Sequence, residues 1–152
     1  MTRFSLQRTT LLILVNIALL FGGVETFATT RRAAPAQTER VGREFKIRVG
    51  RTVTFRGETL RLRFVRVAED SRCPTNVDCI WAGNAEVLIE VSARGARGRK
   101  ILALNTNAGQ GRAGEGEYRR YTVKLVALSP YPSNTRKIRQ GEYTATLQVV
   151  ED

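Results

Sequence analysis

Histidine is absent from this 152-residue chain, which also has only two cysteines and one tryptophan. Without imidazole the most common general base is missing, so serine or cysteine nucleophiles activated by histidine are excluded. Cys73 and Cys79 alone are too few ligands for a metal site. We therefore predict no catalytic residue, no metal and no cofactor, and a protein that is not an enzyme.

Amphipathic helices are also missing beyond the N-terminal segment, because no apolar spacing of about 3.6 residues occurs there. Apolar and polar residues alternate instead, most clearly at Leu60, Leu62 and Phe64, which have arginines between them. Val65 directly after Phe64 predicts a β-bulge or a change of face. About seven such runs, the last opened by Gly141, predict a single antiparallel β-sandwich, with a small β-barrel as the alternative.

The N-terminal 28 residues have the parts of a cleavable signal peptide. Two arginines precede an apolar run over residues 11–21, and the small residues Thr26 and Ala28 stand before a cut after Ala28. The run is short for the ~20 residues that span a bilayer, so we expect no stable membrane span after cleavage. No cysteine follows the run to be acylated, which excludes a lipoprotein anchor.

Residues 29–42 are small, polar and basic without periodicity, which predicts a disordered basic leader before a β-sandwich domain at 43–152. Export would place the mature protein in a periplasm or outside the cell. In such an oxidising compartment, two cysteines near each other form a disulfide bond. The bond from Cys73 to Cys79 would close a short loop.

The chain is strongly basic. Its formal net charge is +11, and removal of two arginines and one glutamate with the signal peptide leaves +10. This charge favours an anionic envelope polymer as partner, although arginines spread over any solvated surface would give the same total. A candidate basic face consists of Arg61, Arg63, Arg119 and Arg120, if their strands are neighbours. Few aromatic residues lie near them, so nucleic acid is not an expected partner.

One glycine-rich motif imitates a nucleotide-binding signature. Residues 109–114, GQGRAG, match G-x-G-x-x-G, but more glycine and then a strand-like run follow them. A dinucleotide site needs this loop to open a helix in a βαβ unit. The motif is therefore interpreted as a flexible hairpin loop.

The segment from Glu69 to Glu86 holds both cysteines, the only tryptophan and several turn-forming residues. Two interpretations of Trp81 stay open. The ring either packs over the sulfur atoms or plugs one end of the sandwich. Alternatively, Trp81 joins Arg72 and Asp78 in a rigid recognition loop that combines an aromatic anchor with charge.

The carboxylates of this segment, Glu69, Asp70 and Asp78, do not have EF-hand spacing, and Arg72 lies among them. We therefore expect a salt-bridged turn instead of a calcium site. A carboxylate-based hydrolase would need two of these groups facing each other across a cleft, and their spacing does not indicate one.

The run DSRCP, five further residues to Cys79 and the following IWAG resemble the loop signature of small exported bacterial proteins with no assigned function. The later run LSPYP resembles their C-terminal part, so the resemblance extends from about Gly57 to Val150. It implies export and a β fold. It brings no catalytic residue and no ligand with it.

Three hypotheses follow from the sequence. The first is a non-catalytic, envelope-associated or ligand-binding module, whose partner is an anionic envelope polymer or another exported protein. The second is a protease-inhibitor-like domain that presents the disulfide loop as a rigid substrate mimic. The third and least supported is a carboxylate-based hydrolase.

Overall fold

β-strands arranged in two sheets make up the domain. A computed structural model describes residues 37–109 and 111–152, so the predicted signal peptide and residues 29–36 lie outside the described residues. Among the described residues, no helix has the length and apolar character to cross a membrane. The strands are β1 Gln37–Glu39, β2 Glu44–Arg48, β3 Thr52–Phe55, β4 Leu60–Asp70, β5 Ala85–Ala93, β6 Lys100–Asn105, β7 Glu115–Tyr118, β8 Tyr121–Ser129 and β9 Thr144–Glu151.

Backbone pairing divides these strands between two sheets. The first has the order β1-β3-β4-β5-β6, and the second has the order β2-β9-β8-β7. β1 pairs with β3 in parallel, and the other described pairs are antiparallel. Because no described strand pairs with both sheets, the predicted β-sandwich is confirmed and the alternative barrel is not formed.

Apolar side chains from both sheets meet between them and form the core. In β5, Val87, Ile89 and Val91 are fully buried, while the residues between them face outward. Each buried side chain of this size stabilises the fold by ~1.5–3 kcal/mol. Phe45 of β2 and Phe55 of β3 meet edge to face across the two sheets, with ring centroids 5.4 Å apart.

The predicted bulge in β4 is confirmed. The register of β4 against β5 shifts between Phe64 and Arg66. The extra residue changes the alternation, so that Phe64 and Val67 face the core and Arg66 is exposed. β4 therefore presents Arg66 to solvent together with Arg61 and Arg63, although the three are not evenly spaced.

Two short edge strands lie where the sequence predicts none. β1 falls within residues 29–42, so the ordered fold begins before residue 43 and the expected domain boundary is corrected. β7 follows the glycine-rich loop, and its Gly116 packs against Leu102 and Leu104. Apart from Tyr118 of β7, which packs against the core, both strands are polar and are held by backbone pairing, so no apolar alternation marks them in the sequence.

The last strand begins later than the sequence predicts. Gly141 belongs to a 3₁₀-helix, Gln140–Glu142, and β9 starts only at Thr144. The side chain of Gln140 explains the difference, because its amide nitrogen donates to the carbonyl of Val67 at 2.8 Å and its oxygen accepts from the Val67 N–H at 3.1 Å. The side-chain amide of Gln140 thus makes the two backbone hydrogen bonds that a neighbouring strand would otherwise make with Val67 of β4.

The connecting segments gather at two ends of the sandwich, as the antiparallel register requires. One end, called the disulfide end below, consists of residues 71–84, 106–109, 111–114 and 130–139. The other, called the arginine end, consists of the turns at 40–43, 56–59, 94–99 and 119–120.

Candidate functional site

The disulfide end is built around an extension of the β4–β5 pair, residues 71–84, called the disulfide hairpin below. The ladder continues past both strands, with the N–H of Ser71 donating to Asn84 at 2.7 Å and that of Cys73 donating to Ala82 at 3.0 Å. Cys73 and Cys79 form the predicted disulfide bond across the tip. At Gly83, φ is +68°, and an added Cβ would lie 1.8 Å from the carbonyl oxygen of Ser71. Only glycine fits there.

A buried ion pair anchors the base of the hairpin. Arg72 donates from Nε and Nη2 to the two carboxylate oxygens of Asp70, at 2.8 and 2.7 Å, and the two side chains are 4% and 9% exposed. Arg72 also donates to the carbonyls of Leu128 at 2.7 Å and Pro130 at 2.9 Å. The pair therefore ties the end of β4 to the end of β8 in the other sheet, and we call Asp70 and Arg72 the clamp. The predicted salt-bridged turn is confirmed.

The protonation of this pair follows from its surroundings. Burial would raise the pKa of Asp70, but hydrogen bonds from Arg72 and from the hydroxyl of Tyr143 outweigh it, and the pKa lies below its ordinary value. Burial, together with the hydrogen bond to Asp70, raises the pKa of Tyr143 to about 12. Asp70 is thus a charged group, and Tyr143 is a neutral donor at physiological pH.

These contacts correct the assignment of Arg72. The sequence places Arg72 in the candidate recognition loop, but its guanidinium group is buried, donates to four oxygen acceptors and is covered by the ring of Tyr131 at 4.9 Å. A partner cannot reach it without opening the clamp. Asp78, the other charged residue of the candidate loop, is exposed at the hairpin tip.

The apolar residues at the tip of the hairpin face solvent. Ile80 is 94% exposed, Trp81 is 78% exposed and Val77 is 42% exposed. We call these three residues the apolar tip. The interpretation in which Trp81 packs over the sulfur atoms or plugs the sandwich is therefore wrong. The alternative, in which the ring is presented to solvent, agrees with the structure.

The segment after β8 holds one flank of the hairpin. The N–H of Thr75 donates to the carbonyl of Pro132 at 3.1 Å. The side-chain oxygen of Asn76 accepts from the N–H of Asn134 at 3.1 Å, and its amide nitrogen donates to the Asn134 side chain. The hairpin is therefore fixed to a segment more than fifty residues away in the sequence.

Asparagines hold the opposite flank. Asn107 donates from its N–H to the Asn84 side chain at 3.1 Å and from its amide to the carbonyl of Gly83 at 3.2 Å. Asn84 in turn donates to the side chain of Asn105 at 2.7 Å. With both flanks fixed, the apolar tip is presented on a preorganised base.

The surface around the apolar tip is shallow. Trp81 and Arg112 line a depression on one side, and Tyr131, which is 52% exposed, lines another on the side of the clamp. Within the described ranges, no three His, Cys, Asp or Glu side chains come together as a metal site would need. An exposed apolar ridge between open depressions can bind a complementary surface.

The four arginines of the predicted basic face do not lie on one sheet. Arg61 and Arg63 are exposed on β4 in the first sheet, whereas Arg119 and Arg120 form the turn between β7 and β8 in the second. Arg120 also forms ion pairs with Glu58 at 2.9 Å and with Glu151 at 3.0 Å. Because β4 and β8 belong to different sheets, the strands carrying these arginines are not neighbours.

Comparison with known proteins adds no relative. No family model matches the chain, and no curated protein or solved structure matches it either. The similarity of the disulfide loop to that of small exported bacterial proteins therefore stays a prediction. The function has to be inferred from the geometry of the site.

Proposed function

We propose that this chain is an exported, non-catalytic binding module that recognises another exported protein through the apolar tip of its disulfide hairpin. The single observation that carries the proposal is the exposure of Ile80 and Trp81, at 94% and 78%, on a base held by hydrogen bonds on both flanks. Exposed apolar groups of this size are characteristic of interaction surfaces.

The energy available at the tip is sufficient for such a role. A tryptophan buries ~150–250 Å² of surface, which at about 25 cal/mol per Å² corresponds to ~4–6 kcal/mol. Ile80 adds to this amount. Association has its own entropic cost, and a preorganised loop lowers the part that comes from ordering the chain. One aromatic and one aliphatic anchor thus support a specific interface.

Export is part of the proposal. The disulfide bond between Cys73 and Cys79 is stable in an oxidising compartment, which fits a periplasm or the outside of the cell. The expected signal peptide supports the same location. A mature N-terminus near Thr29, measured by mass spectrometry of protein from its native compartment, would agree, and a full-length chain in the membrane fraction would contradict it.

The test of recognition is capture from envelope extract with four forms of the protein: wild type, Trp81→Ala, Ile80→Ala and the control Ile101→Ala. Ile101 is 51% exposed on β6, far from the hairpin, so its replacement removes a comparable apolar group elsewhere. The proposal expects one protein that wild type and control retain and both tip variants lose. Equal retention by all four forms contradicts it.

A second candidate, the protease-inhibitor-like domain, rests on one observation. Residues 75–79 are all exposed and are closed by the disulfide bond, as a rigid substrate mimic requires. An inhibited protease, together with slow cleavage between Cys73 and Cys79, would favour this candidate over the binding module. The hydrolase has no comparable support, because Asp70 is occupied by Arg72 and Tyr143.

A further inference from the structure

The arginine end collects basic residues from four turns. The N–H of Arg56 donates to Glu39 at 2.9 Å, and the N–H of Arg94 donates to Thr59 at 2.9 Å, so these turns lie side by side. The basic side chains of the four turns are Arg40, Arg43, Arg56, Arg94, Arg97, Arg99, Arg119 and Arg120. The run RGARGR at residues 94–99 supplies three of these arginines from a single turn.

Within this end, an open depression of about 470 Å³ lies on the outer face of the first sheet. We call it the arginine groove. Its floor includes a row of paired residues across three strands, Thr54 of β3, Arg61 of β4 and Ser92 of β5. Arg94 lines its rim. The Thr54 hydroxyl already donates to the carbonyl of Gln37 at 3.3 Å, so the donors that face this space are the guanidinium groups of Arg61 and Arg94 and the hydroxyl of Ser92. Such donors suit the recognition of an oxyanion.

The one carboxylate lining the arginine groove is already engaged. Glu58 accepts hydrogen bonds from the hydroxyl of Tyr121 and from Arg120, and these bonds lower its pKa. Arg61 and Arg94, in contrast, form no ion pair with any other described residue. The groove therefore keeps uncompensated positive charge.

We propose that the arginine groove binds phosphate groups of an extended anionic polymer. Arginine presents a planar fork that matches phosphate oxygens, and Arg61 and Arg94 both line the groove. Arg97 and Arg56 continue the basic surface past the groove, which suits a chain of repeated anions. A membrane surface fits less well, because the four turns carry no exposed large apolar side chain to enter it. The site is separate from the apolar tip and does not depend on it.

The chain offers a matched pair of variants for the test. Arg61→Gln with Arg94→Gln removes the two arginines of the groove. Arg63→Gln with Arg66→Gln removes two exposed arginines of β4 outside it, with the same change in net charge. Non-specific attraction would be weakened equally by both double variants.

Binding of labelled inorganic polyphosphate is measured by fluorescence anisotropy at fixed low salt, with thermal melts to confirm folding. We expect the groove variant to raise Kd by about tenfold or more, because two charge-assisted contacts are lost, and the control to raise it less than about threefold. Equal weakening by both variants overturns the proposal. Stronger groove-dependent binding to vesicles of anionic phospholipid than to polyphosphate overturns the choice of a polymer.

Discussion

Replacing Arg72 by methionine should destabilise the domain strongly, because it removes one half of a buried ion pair. Methionine fills much of the same volume, so the loss comes from charge and hydrogen bonds. Asp70 would keep only the Tyr143 hydroxyl and the backbone N–H of residue 72, and the carbonyls of Leu128 and Pro130 would lose their donor. Breaking a buried pair in this way costs about 3–5 kcal/mol of unfolding free energy.

The pH dependence of the variant gives a second check. In the wild type the folded-state pKa of Asp70 is lowered, so its contribution to stability is present above the unfolded pKa of ~3.9 and is lost as pH falls through the folded value. Without Arg72, burial dominates and the folded pKa rises. The contribution of Asp70 to the stability of the variant is then most favourable below the unfolded pKa of ~3.9, and it is lost as pH rises through the folded pKa. Adding Asp70→Asn should recover part of the loss.

Urea unfolding followed by far-ultraviolet circular dichroism measures both effects, at neutral and at acidic pH. Arg63→Met is the control, because Arg63 is an exposed arginine on β4, the strand that ends at Asp70. Trp81 is too exposed to report global unfolding well. A loss below about 1 kcal/mol for Arg72→Met, typical of surface ion pairs, would refute the assigned role of the clamp.

Further predictions concern the hairpin. Reduction of the Cys73–Cys79 bond should lower the unfolding free energy by about 2.4 kcal/mol in the chain-entropy model. Calorimetry should therefore find a domain that is still folded but has a lower Tm, and complete unfolding would contradict this. The same reduction should leave Trp81 emission nearly unchanged, because the exposed ring does not pack on the sulfur atoms. Gly83→Ala should lower the unfolding free energy several times more than Gly57→Ala. Both glycines have a positive φ, but of the two only Gly83 lacks space for a Cβ. Equal losses in chemical denaturation would refute the steric explanation.

Much of the fold could be predicted because burial on one face imposes alternation. In β4 and β5 the core residues follow a period of two, and the adjacent Phe64 and Val65 mark the bulge. The disulfide bond follows from the proximity of the only two cysteines. Local chemistry also predicted the salt-bridged turn, because Asp70 and Arg72 are two residues apart.

The rest depends on contacts between distant segments. β1 and β7 are polar edge strands, and only backbone pairing with β3 and β8 identifies them. The position of Trp81 follows from hydrogen bonds that Asn76 and Asn84 make with remote loops. The strands of the predicted basic face are not neighbours for the same reason, since the assignment of each strand to a sheet is a property of topology.

The accessibility of Trp81 tests the central claim most directly, because it is the only tryptophan and its fluorescence reports the apolar tip alone. Acrylamide quenching is measured on the oxidised protein by itself and with the partner captured from envelope extract. The account predicts strong quenching in the free protein and protection when the partner is bound. A ring shielded in the free protein, or one equally quenched in the complex, would contradict recognition through the disulfide hairpin.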